Sequence, residues 1–118
     1  LHTAYRRQRQ MCIRDRAMGE GEKDLTENLM LTFLHTLTER VDLPDHLWFY
    51  GDGAFLTASG SQALDDLFNL AERGVDIATC GTCVNYYDLN DKIEVGTITS
   101  MPKIVDLFAN SPKVVFPA

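Results

Sequence analysis

Cysteine is scarce in this chain, with only Cys12, Cys80 and Cys83 among 118 residues. An odd, small number does not make the disulfide framework of a small secreted protein. Long apolar runs are also missing. No stretch of about 18 apolar residues is present, which excludes a membrane-spanning helix. The opening has no apolar segment of about 7–15 residues, as a secretory signal would need. A cytoplasmic protein without a membrane association is the expectation. There is no second Cys-x-x-Cys, and His35 and His46 do not have His-x₃₋₅-His spacing, so a structural zinc site is short of ligands. Asp88, Asp91 and Glu94 follow no calcium-loop pattern and read as helix-end and loop charges. Met18-Gly-Glu-Gly-Glu lacks the lysine-serine pair of a phosphate loop and the spaced glycines of a dinucleotide site. No cofactor and no metal is expected.

Positive charge is scarce outside the amino terminus. Arg6, Arg7, Arg9, Arg14 and Arg16 face one acid, Asp15, whereas residues 18–118 carry a net charge of −10 and the whole chain −6. Such a domain repels nucleic-acid phosphates, which need lysine and arginine to neutralise them. Residues 1–17, with no helical or strand periodicity, read as a non-native or disordered basic tail. Residues 18–118 are then the folded domain. Met11-Cys12-Ile13 can at best serve as a short strand, and Cys12 is set aside with the tail.

What is present is alternation of strands and helices. Apolar residues at Leu25, Leu29, Met30, Phe33, Leu34, Leu37 and Val41 predict a helix over Glu22–Val41 with one wide apolar face. His35 lies at the edge of that stripe. His46–Tyr50 reads as an aromatic strand stopped by Gly51-Asp-Gly53. Ala54–Ser59 is either a short strand or an apolar loop over the sheet edge. Ser61 is placed to cap a helix over Gln62–Arg73, with Leu64, Leu67, Phe68 and Ala71 inward and Gly74 ending it. Val75–Thr79 is a strand, followed by a short helix ending near Asn90-Asp91. Val95-Gly-Thr-Ile-Thr99 is a third strand, Ser100 caps a helix to Asn110 with Pro102 in its first turn, and Val114–Phe116 closes the chain. The pattern predicts an α/β fold, a three-layer, mainly parallel sheet flanked by helices.

The chemistry is concentrated at Cys80-Gly-Thr-Cys83, where a strand ends and a helix begins. Ligands and reactive groups gather at the carboxyl ends of parallel strands. A thiolate there can be stabilised by the free N–H groups of the following helix. Three readings stand: reactive thiols, two small buried hydrophobes, or metal ligands. Tyr86 and Tyr87 follow, one expected to pack inward and the other to lie across the surface.

The motif Cys80-Gly-Thr-Cys83-x-x-Tyr86-Tyr87-x-Leu89-x-x-Lys92-Ile-x-Val95-Gly96-x-Ile-Thr-x-Met101 resembles the carboxy-terminal, DsrE-like domain of the YedF family, sulfurtransferase-like proteins associated with selenium metabolism. The resemblance extends from Met18 to the end of the chain. It implies a DsrE/DsrF-like fold and a sulfurtransferase of the persulfide-carrier kind, with Cys80 as the persulfide-carrying cysteine and Cys83 as the second thiol of the pair. It also implies homo-oligomers, and as partners a sulfur or selenium donor protein and a TusA-like domain. The alternative is a noncatalytic redox-responsive binding module supporting a TusA-like partner domain. Two departures stand out. The domain is expected to lack its native first strand and an upstream TusA-like domain, and Asp88 stands where the family tends to have glycine.

Overall fold

Five short strands pair into one parallel sheet in the computed structural model, which describes residues 9–117. They are β1 (Arg9–Ile13), β2 (His46–Phe49), β3 (Asp76–Cys80), β4 (Thr97–Thr99) and β5 (Lys113–Val115), in the order β4-β3-β2-β1-β5. The helices are α1 (Lys23–Thr38), α2 (Leu64–Glu72), α3 (Gly81–Tyr86) and α4 (Met101–Asn110). Parallel neighbours cannot be joined by a tight hairpin, so a crossover links each strand to the next and layers form on the two faces.

Alternation along each strand divides the core. Leu47, Phe49 and Ile77 face one way and meet Met30, Leu34 and Leu37 of α1 and Leu67 and Leu70 of α2. Trp48, Ala78 and Cys80 face the other way and meet Ile104 of α4. The result is the expected three-layer α/β arrangement. The first face is the thicker one. Each fully buried side chain of the Leu or Phe kind contributes about 1.5–3 kcal/mol there.

The expectation that the folded part begins at residue 18 is corrected. Arg9–Ile13 pairs with β2 through Cys12↔Trp48 and Ile13↔Phe49, and with β5 through Met11↔Val115. The first-strand position is therefore filled. The run is too short, and too closely flanked by arginines, for period-two alternation to stand out. Gln10, Cys12 and Ile13 are nevertheless buried. Residues 1–8, with Arg6 and Arg7 of the basic cluster, lie outside the described residues.

Other boundaries moved for local reasons. Leu25 and Leu29 are exposed on α1 and Val41 lies beyond it, so the buried stripe is narrower than the apolar spacing implied. Ser61 Oγ accepts the Ala63 N–H at 3.1 Å, and this turn delays α2 to Leu64. Leu70 of α2 is buried and Phe68 is exposed, a rotation of the expected face. Ala54–Ser59 is largely taken up by a 3-10 turn over Gly51–Thr57. That turn is anchored by Thr57 Oγ1, which lies 2.7 Å from Thr79 Oγ1 and donates to the Ala54 carbonyl. Gly96 has φ +77°, and a Cβ there would collide with the Ile77 carbonyl, so β4 is reached through a turn only glycine fits.

Candidate thiol site

The sulfur site is assembled by three elements at the carboxyl edge of the sheet. Cys80 is the last residue of β3 and the N-cap of α3, and Cys83 lies in that helix's first turn. The side chain of Cys80 follows Ala78 onto the α4 face, where it packs with Trp48 and Ile104. Only 1% of Cys80 is exposed. Cys83 is half-buried and touches two clusters, that of Cys80 and the one formed by Ala54, Ala58, Val84 and Leu89. The backbone at Gly81 is closely approached. A Cβ on Gly81 would lie 3.1 Å from the Thr99 carbonyl, because β4 runs alongside.

The Cys80 side chain, at the N-cap of α3, forms no capping hydrogen bond. The N–H that does reach a sulfur comes from elsewhere. Gly51, in the turn after β2, donates its backbone N–H to Cys83 Sγ at 3.0 Å. Burial nevertheless pushes the Cys83 thiol above its ordinary range, the Gly51 N–H pulls it partly back, and the bond and charge it shares with Cys80 raise it further. Two thiols in such contact influence one another's protonation.

Beside the pair is a cavity of about 210 Å³, lined by Tyr50, Cys80, Thr82, Cys83, Met101, Ile104 and Phe108. Tyr50 follows β2 on the strand adjacent to β3, and the sequence reading did not assign it to the site. The rule that ligands gather at the carboxyl ends of neighbouring strands is the signal that could have found it. Burial raises the Tyr50 phenol above its ordinary range, so it stays protonated.

The other candidates lie elsewhere. Tyr87 stacks on Phe55 at 4.7 Å and Tyr86 is exposed, as expected of that pair, and neither lines the cavity. His46 Nδ1 lies 2.7 Å from Asp76 Oδ2 at the amino ends of β2 and β3, the end opposite the thiols. His35 pairs with Asp66 on the helical side. Glu94 accepts the Ser59 hydroxyl at 2.8 Å, and Asp88 sits in a left-handed turn with φ +57°. Among the described residues, no three His, Cys, Asp or Glu side chains come together as a metal site, and no helix is long and apolar enough to cross a membrane. Cys12 is buried in β1, where desolvation raises its thiol.

A parallel, three-layer α/β domain with two thiols at its sheet's carboxyl edge is the class that fold and site define. The fold is DsrE-like. It is similar to the ychN protein from E. coli (TM-score 0.66, 17% identity, covering 92% of this chain and 98% of that one). It is also similar to MTH1491 from Methanobacterium thermoautotrophicum, a protein of unknown function (0.69, 14%, 92% and 97%). A third similar structure is BT1422 from Bacteroides thetaiotaomicron (0.60, 15%, 91% and 93%). No family model and no curated protein sequence matches the chain. At these identities the likeness carries the fold alone.

Proposed function

We propose that the domain is a sulfurtransferase-like carrier in sulfur or selenium metabolism, holding sulfane sulfur or selenium on the Cys80–Cys83 pair. The observation that carries this reading is the placement of two thiols, in contact with each other, against a cavity at the sheet's carboxyl edge. The resemblance of Cys80-Gly-Thr-Cys83 to the YedF family supports it, as does the DsrE-like fold. Cys80 is the acceptor in this proposal, as the position that matches the persulfide-carrying cysteine of the proteins the motif resembles. The persulfide on Cys80 then has two routes. Cys83 attacks its outer sulfur and carries it to the half-exposed position, from which an acceptor such as a TusA-like domain takes it. Alternatively Cys83 attacks the inner sulfur, forming the Cys80–Cys83 disulfide and releasing hydrosulfide.

A second reading is favoured by the 1% exposure of Cys80: a noncatalytic, redox-responsive module supporting a partner domain. Intact mass after exposure to a cysteine desulfurase with cysteine separates the two. The carrier role predicts gain of one reductant-labile sulfur in the wild type and in Cys83→Ala, and none in Cys80→Ala. Loss only in Cys83→Ala keeps the chemistry and exchanges the roles. No adduct on folded protein from this or a small persulfide donor favours the binding module.

A further inference from the structure

The wall of the cavity beside Cys80 contains no charged side chain. Tyr50 and Thr82 bring its hydroxyls, and Met101, Ile104 and Phe108 make the rest of the wall apolar beyond the two thiols. Met101 and Phe108 are 53% and 38% exposed, so apolar surface continues from the floor to the rim. The volume of about 210 Å³ exceeds the cavity of about 150 Å³ that holds benzene in another protein. It falls short of the roughly 300 Å³ at which pockets for drug-sized molecules begin. The surrounding domain, residues 18–118, carries −10. A reagent must also enter to meet Cys80, which is all but closed to solvent.

We infer that, among small-molecule persulfides, this cavity selects a compact, uncharged, apolar-bodied donor, its carbon skeleton lying against Met101, Ile104 and Phe108, and discriminates against an anionic donor of the glutathione persulfide kind. The inference rests on the carrier reading above. A tripeptide with ionised carboxylates is too large to enter whole, and it finds no cation in the wall to offset the loss of its hydration. An apolar cavity also favours the neutral R–S–SH form over its anion, and the neutral form is the electrophile. The Cys80 thiolate attacks the outer sulfur, the Cys80 Sγ–S bond forms, and the donor's S–S bond breaks. The electron pair leaves on RS⁻, which takes the proton of the Cys83 thiol and departs as RSH. Sulfur is transferred with no net oxidation or reduction.

The test uses the whole reduced chain with benzyl persulfide and, separately, glutathione persulfide. Sulfur on Cys80 is read by mass, and each rate is divided by that of the same donor with free cysteine. The expected result is a benzyl preference of about tenfold or more, the low end of what an apolar pocket discriminates, lost in Met101→Asp. That variant changes an exposed rim residue, and near-ultraviolet circular dichroism confirms that it is folded. Equal normalised rates, or faster loading from glutathione persulfide, overturn the selectivity and leave the carrier reading standing. No sulfur on Cys80 from either donor overturns both.

Discussion

The Gly51 N–H and the Cys83 sulfur, 32 residues apart in sequence, are held 3.0 Å apart. This bond ties the turn after β2 to the helix after β3, and it favours negative charge on Cys83. Burial and Cys80 outweigh it, and the thiol stays above its ordinary range. Removing Cys80 takes away two of the raising influences and leaves the Gly51 donor in place. The pH midpoint for alkylation of Cys83 is therefore expected to fall in Cys80→Ala. A midpoint that stays put or rises would mean that the two thiols do not share a proton.

Ile104 is the α4 side chain that closes over Cys80, Ala78 and Trp48. Truncation in Ile104→Ala is expected to cost about 2–4 kcal/mol, the usual range for a buried large-to-small change. It also widens the cavity over the sulfur, so alkylation of Cys80 in folded protein is expected to accelerate. Denaturant melts and peptide-resolved labelling read the two effects. Unchanged labelling of a destabilised variant would show that α4 does not control access.

His35 is paired with Asp66, and that carboxylate holds the imidazolium pKa above its ordinary value. A raised folded pKa means that the pair's contribution is fully present below the unfolded value, about 6.5. It is lost as pH rises through the folded one. An NMR titration should give His35 a midpoint above 6.5, returning toward it in Asp66→Asn. Both groups are near the surface, so added salt should shrink the shift. No movement in Asp66→Asn would remove the pair from the account.

Much of this was legible in the sequence, because period-two and period-3.6 patterns are local. β2, β3 and α4 lie within a residue of their expected ends, and the cysteine turn falls at the strand–helix junction as read. What escaped depends on contacts between distant segments. β1 is recognisable only through its pairing with β2 and β5. Leu25 and Leu29 are exposed although their own spacing marks them for the apolar face. The partner for Cys83 is a backbone N–H, which no side-chain motif advertises. Tyr50 enters the site because β2 and β3 are neighbours.

Asp88 was marked as a departure from glycine, and its φ of +57° supplies the reason: the turn after α3 is left-handed. Aspartate tolerates that region better than most residues, at some cost. Asp88→Gly is expected to leave the structure intact and to stabilise it by up to about 1 kcal/mol, less the entropy that glycine loses on folding. Urea denaturation checks this. A loss of stability would show that the carboxylate makes a contribution larger than the backbone strain.

The pairing of Arg9 with Lys113 joins nearly the two ends of the chain, and each other ladder in the sheet also spans a crossover. Pairings so distant along the chain pay their loop entropy before they return any stability, which places such a topology among slower folders. The β3–β4 and β2–β3 ladders have the closest partners along the chain and are expected to organise first, with α4 and β5 docking afterwards. A newly made chain would then present Cys80 and Cys83 to solvent before α4 arrives to close over them. A pulse of alkylating agent early in refolding should label Cys80 at a rate the finished domain forbids. The interval before α4 docks is thus the protein's period of greatest vulnerability to oxidants.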